Sequence, residues 1–102
     1  MTHSQNINQT IQFQDGSVVS KVIVNKPTGT VTLFAFDKGQ GLSEHTTPYD
    51  ALVIVTEGSA QITVSGEKHE VKTGEMLRMP LNSPHTLKAI EQFKMMLIMI
   101  KP

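Results

Sequence analysis

Two histidines are the residues of this sequence best placed to do chemistry. His45 follows a glycine-rich turn, and His85 follows the constrained turn 80–84, so each is predicted to open a strand. Imidazole is the commonest metal ligand and the natural acid or base near neutral pH. If both strands belong to one small barrel, the two rings converge on one cavity. His3 in a polar tail and His69 near a hairpin turn are predicted to be surface residues.

The elements that must position these histidines are predicted to be short strands. Val, Ile and Thr make up more than a quarter of the chain, and these branched side chains favour strands. Turn residues recur about every 8–12 positions, which is typical of an all-β sandwich or barrel with little helix. The predicted strands are 18–25, 30–37, 52–57, 61–65, 69–72, 76–79, 86–90 and 94–101.

Length, charge and composition exclude several classes of function. The 102 residues suit one domain, which we predict at 17–102 after a polar N-terminal arm at 1–16. Nine basic residues balance nine acidic ones, so neither nucleic acid nor a membrane surface is an expected partner. The absence of cysteine excludes disulfides and thiolate chemistry. No signal peptide is recognised and no apolar run approaches the ~20 residues that span a bilayer, so the cytoplasm is the expected location.

Several predicted strands are apolar on both faces. Val53 and Val55 can face inward while Leu52 and Ile54 face outward, and residues 93–100 alternate in the same way. The outward set must be covered. A second copy of the chain, giving a two-fold homodimer, is the preferred cover, and the N-terminal arm folded over its own barrel is the alternative.

The spacing of glycines, a proline and the two histidines resembles the cupin superfamily of small β-barrels. The first family pattern is G-x5-H-x-H-x3-4-E-x6-G, and it fits Gly39, His45 and Gly58. The second pattern is G-x5-P-x-G-x2-H-x3-N, and it fits Gly74 and His85. Pro80 takes the proline position, Asn82 the second glycine position and Ala89 the final asparagine position. The resemblance covers residues 18–100 and implies a double-stranded β-helix, or jelly-roll, barrel.

The departures from the family pattern bear on the chemistry. Cupins that bind metal use three histidines and one glutamate, but here Thr47 replaces the second histidine and Ala51 the glutamate. The resemblance thus implies a degenerate metal motif in which only His45 and His85 remain. Asp50, next to the glutamate position, is the candidate third ligand for Fe, Ni, Mn or Zn. Strand alternation points Asp50 outward, whereas a bulge at Pro48 would turn it inward.

Three functions follow from this resemblance. The first is a module that binds a small organic molecule, with Thr47 and the two histidines at the polar end. Its predicted walls are Leu33, Ala35, Val53, Val55, Met76, Leu87 and Met95. The second is a metal-dependent dioxygenase, isomerase or lyase that uses the two histidines. The third is metal-free acid–base catalysis like that of cupin-like epimerases, with His45 as the base and Tyr49 as its partner.

Overall fold

Nine antiparallel strands form two facing sheets in the computed structural model, which describes residues 3–102. A single short helix precedes them in this part of the chain, and no helix there is long and apolar enough to cross a membrane. The elements are α1 (Ile7–Thr10), β1 (Val18–Lys26), β2 (Gly29–Phe36), β3 (Gly41–His45), β4 (Asp50–Glu57), β5 (Ser59–Val64), β6 (Glu67–Lys72), β7 (Met76–Met79), β8 (His85–Lys88) and β9 (Phe93–Ile100). The predicted all-β fold is confirmed.

The strand order creates a jelly-roll barrel. One sheet has the order β1-β2-β9-β4-β7 and the other β3-β8-β5-β6. Eight of the nine strands lie within a few residues of their predicted positions. The missed strand is β3, and His45 ends β3 rather than opening a strand. The segment 41–45 contains one glycine and three polar residues. It therefore shows neither the alternation of apolar residues nor the branched side chains from which a strand is predicted.

One end of the barrel is filled by aromatic packing. The rings of Phe36 and Phe93 stack at 4.5 Å between centroids, with 10° between their planes. Val53, Val55 and Ile62 are fully buried in the same cluster. Close packing at this end leaves the free interior space at the opposite end.

The prediction of which β2 side chains face the barrel interior is wrong. Leu33 and Ala35, expected to line the interior, belong to a separate apolar cluster with Ile11, while Phe34 and Phe36 pack on the interior core. Both faces of β2 are apolar because the N-terminal segment covers the outer one. A strand that is buried on both sides gives no alternation from which its inward face can be read.

The N-terminal segment is fastened by polar contacts as well as apolar ones. The Asn8 side-chain amide donates to the Thr56 carbonyl at 2.8 Å. Lys94 is only 5% exposed, and its ammonium donates to the Asn8 carbonyl and lies 4.8 Å from the centroid of the Phe13 ring. A buried ammonium needs such partners to offset its lost hydration. The arm therefore covers one part of the outer face in the way that the alternative prediction described.

Another part of this outer face lies outside the cluster that the arm forms between residues 7 and 13. Val31, Ile98 and Leu52 are neighbours across β2, β9 and β4, and each is only partly buried. Val24 and Ile100 at its margin are 41% and 58% exposed. The homodimer stays a prediction, and this row of side chains is the surface we assign to it.

Truncating the arm's anchor should destabilise the fold. We expect Ile11→Ala to lower the free energy of unfolding by about 2–3 kcal/mol, since Ile11 is almost fully buried. Ile23→Ala is the control, because Ile23 is 47% exposed and should change that free energy by less than ~0.5 kcal/mol. Urea denaturation measures both, and equal small effects would show that the arm is not packed.

Self-association should depend on the uncovered row. Sedimentation velocity of the untagged protein at micromolar concentration is expected to give a dimer. Ile100→Asp should shift it to a monomer, because a carboxylate in an apolar interface stays unpaired. A wild-type monomer at that concentration would contradict the prediction.

Candidate functional site

His45 and His85 meet as direct partners in the β3–β8 pairing. Their ring centroids are 4.2 Å apart and the planes cross at 67°, an edge-to-face contact. A register shift between Leu42 and His45 reverses the alternation along β3, so that both of these residues line the same cavity. The bulge that sets this geometry therefore lies before His45 and not at Pro48.

Backbone features around the pair fix its position. Gly41 allows β3 to approach β8, because a Cβ at this position would overlap the Leu87 carbonyl oxygen. Asn82 adopts φ of +61° where the family pattern has glycine, and asparagine tolerates this left-handed conformation better than most residues. The Asn82 amide donates to the Thr47 carbonyl at 2.8 Å, which ties together the two loops that flank the histidines.

Each imidazole is oriented by a hydrogen bond to the main-chain carbonyl two residues before it. The Nδ1 atom of His45 lies 2.7 Å from the Ser43 carbonyl oxygen, and that of His85 lies 3.0 Å from the Ser83 carbonyl oxygen. A carbonyl oxygen only accepts, so Nδ1 of each ring carries the proton and donates it. In the neutral rings, Nε2 is then the atom with the free lone pair. The site presents two imidazole acceptors in a fixed tautomer.

The two histidines differ in their environment. His85 is 4% exposed, whereas His45 is exposed at the mouth of the cavity. Burial lowers the pKa of His85 below its usual 6.5, the hydrogen bond to Ser83 opposes this shift, and the charge of a protonated His45 adds to it. The deeper ring is therefore neutral at pH 7.

The cavity in front of the rings measures about 320 Å³. Its lining is formed by Phe34, Leu42, His45, Thr46, Thr47, Ala51, Met79, His85, Leu87, Met95, Leu97 and Met99. Apart from the histidines, none of the lining residues within 3–102 has a titratable side chain. The cavity is thus an apolar pocket with imidazole and hydroxyl groups at one end.

The structure brings together only part of the predicted site. Thr47, Leu87 and Met95 line the cavity with the two histidines. Val53 and Val55 are fully buried in the core cluster and do not line the cavity.

Three further predicted site residues lie elsewhere. Met76 is 68% exposed on β7, and Met79, three residues on, lines the cavity instead. Tyr49 lines a separate pocket of about 170 Å³ beside the β1–β2 hairpin. Asp50 faces outward, with its carboxylate 3.3 Å from the Arg78 guanidinium and 3.4 Å from the Leu81 amide. The structure therefore places neither Tyr49 nor Asp50 in the lining of the cavity that holds the two histidines.

Three lining residues that the sequence analysis did not name could have been found from the inward–outward alternation of side chains along their strands. Leu97 and Met99 share the phase of Met95 on β9, and Met79 follows from the phase of the partly buried Leu77 on β7. Phe34 could not be found in this way because both faces of β2 are apolar.

The residues present do not fit the metal centre that the resemblance implies. Thr47 and Ala51 line the cavity at the positions of the missing histidine and glutamate. Among residues 3–102 no cluster of three or more His, Cys, Asp or Glu side chains is placed to hold a metal. Two imidazoles without a carboxylate fall short of the facial triad that non-haem iron requires.

Comparison with known proteins agrees with this architecture. A family model described as a cupin domain matches residues 32–101, so the chain belongs to the cupin family. No curated protein matches the chain in sequence.

Solved structures show the same fold. A conserved protein of unknown function from Streptococcus pyogenes is 32% identical with a TM-score of 0.95, and the match covers 100% of this chain and 90% of that one. A cupin 2 conserved barrel domain protein from Leptotrichia buccalis is 40% identical with a TM-score of 0.88. The match covers 91% of this chain but only 45% of the Leptotrichia chain. A salicylate 1,2-dioxygenase from Pseudaminobacter salicylatoxidans is 20% identical with a TM-score of 0.76, covering 83% and 26% of the two chains, and shows the fold alone.

Lowering the pH should weaken the metal-free protein through His85. The folded pKa is lowered, so the unfolded state binds more protons between the two pKa values. The contribution of His85 to the free energy of unfolding is fully present above pH 6.5. It is lost as the pH falls below that value toward the pKa of the folded state. Urea denaturation between pH 5 and 8 should show this loss in the wild type and less of it in His85→Gln, with His69→Gln as the control. A His85 ring that titrates by NMR at or above 6.5 would contradict it.

Proposed function

We propose that this cupin binds a small, uncharged organic molecule in its interior cavity. The supporting observation is the pocket of about 320 Å³ with apolar walls and an imidazole pair at one end. Ligand sites commonly combine apolar walls with a few convergent polar groups, in pockets of about 300–1,000 Å³. A volume near the lower limit suits a molecule of about one ring.

The tautomer of the histidines indicates the chemistry of the ligand. Both Nδ1 atoms donate to backbone carbonyls, so the Nε2 atoms act as acceptors and favour a ligand that brings a hydroxyl donor. No Lys or Arg of the described part of the chain lines the cavity, and a carboxylate would enter without a counter-charge from these residues. A compact alcohol or phenol therefore suits the cavity better than an organic acid.

The two enzymatic alternatives have less support from the geometry. Acid–base catalysis by His45 and Tyr49 requires one shared site, yet Tyr49 lines a different pocket. A metal-dependent dioxygenase, isomerase or lyase would need a further ligand, and Asp50 is engaged by Arg78 outside the cavity. The dioxygenase among the structural neighbours supports no more than the shared barrel.

Phenol, anisole and benzoate provide a matched test of this proposal. In protein-observed NMR titrations of the untagged, metal-free protein, phenol should bind about fivefold more tightly than anisole, because it alone donates a hydrogen bond worth about 1 kcal/mol. Benzoate should bind most weakly. His85→Phe should reduce phenol binding to the level of anisole.

The control is His69→Phe, which changes a histidine outside the cavity and should leave the order of the three probes unchanged. Equal phenol binding by His85→Phe and the wild type would refute the role of the imidazole pair. Failure of all three probes to shift signals of cavity residues would refute the proposed function.

A further inference from the structure

A row of three side chains crosses the cavity at the position of the missing glutamate. Ala51 on β4 pairs with Met79 on β7 and with Met99 on β9, and all three line the cavity. Neighbouring strands lie about 4.8 Å apart, so the two methionine Cα atoms are about 10 Å apart across Ala51. The short alanine leaves space above it for flexible thioethers to reach from both sides.

The same cavity contains the two imidazoles, each with one free nitrogen. Because Nδ1 of each ring is bound to a backbone carbonyl, Nε2 is the nitrogen available to an electrophile. The ring centroids are 4.2 Å apart, so the two imidazoles are direct neighbours in the cavity. The soft and imidazole donors in this cavity are thus two imidazole nitrogens and the sulfurs of Met79, Met95 and Met99, of which Met79 and Met99 flank Ala51.

We propose that His45, His85, Met79 and Met99 form a binding site for Cu(I). Thioethers are soft ligands that select Cu(I), imidazole binds copper well, and hard divalent ions prefer carboxylate oxygen. Among residues 3–102, the cavity lining supplies no carboxylate. This inference goes beyond the binding of an organic molecule and does not rest on it.

The net charge of the site favours a monovalent ion over a divalent one. The lining contributes no negative charge, so a bound divalent ion would keep both of its charges in an apolar surrounding. The cost of removing an ion from water rises steeply with its charge when no counter-charge offsets it. A monovalent soft cation avoids most of that cost and gains the thioether bonds.

Competition against bicinchoninate tests the proposal in untagged, full-length, anaerobic protein with Cu(I) as the probe. One equivalent of Cu(I) per chain is expected. Met79→Leu and Met99→Leu should each weaken binding at least tenfold, and His85→Phe should abolish it. Methionine-to-leucine changes keep nearly the same volume, so the fold should tolerate them. Mn(II), Fe(II) and Zn(II) should bind more weakly than Cu(I).

Two controls separate this cavity from other copper ligands. Met76→Leu removes an exposed thioether outside the cavity, and His3→Ala removes an imidazole of the N-terminal tail; neither should change the affinity. In methyl-labelled protein, Cu(I) should shift the signals of Met79 and Met99 and leave that of Met76 in place, which reports contact even if a variant unfolds.

Three outcomes would overturn the site. The first is that the folded wild type takes up no Cu(I). The second is that a Met79→Leu/Met99→Leu double variant keeps full affinity, and the third is that Zn(II) or Mn(II) binds more tightly than Cu(I). Phenol binding by the copper-free protein is measured separately, so failure here leaves the proposed organic ligand standing.

Discussion

The geometry of the site depends on the cross-strand pairing of His45 with His85. The bulge in β3 turns His45 inward, the close approach at Gly41 fixes the strand spacing, and two backbone carbonyls orient the rings. Each of these constraints is local and made by the main chain. The imidazoles are therefore preorganised before any ligand arrives, which lowers the ordering cost of binding.

This preorganisation has a consequence for proton chemistry. A buried ring whose Nδ1–H is already bound to a carbonyl has only Nε2 with which to accept a proton. Burial lowers the pKa of His85, which makes that ring a weak base and a good neutral acceptor. The exposed His45 lies at the solvent side of the pair. A hydroxyl ligand would meet two acceptors in a fixed order, the exposed His45 at the mouth and the buried His85 in the interior.

The sequence predicted the barrel and its central pair better than it predicted the walls. Turn spacing and branched residues indicated eight of the nine strands, and the glycine and histidine spacing placed Thr47 and Ala51 in one cavity with His45 and His85. The phase of β2 could not be predicted because Leu33 and Phe34 are packed on opposite sides of the same strand. Which apolar face borders empty space depends on how Phe36 and Phe93 fill the other end, a property of packing and not of pattern.

Replacing a charged ligand by alanine changes more than the number of donors. In a barrel with a glutamate at residue 51, the cavity would be anionic and suited to a divalent ion. With Ala51, the uncharged lining makes any bound charge expensive, and the freed space borders Met79 and Met99. The same substitution thus disfavours hard cations and enlarges the apolar volume. A neutral molecule and a soft monovalent cation are the two classes of occupant that this change favours, and both would use the same Nε2 lone pairs.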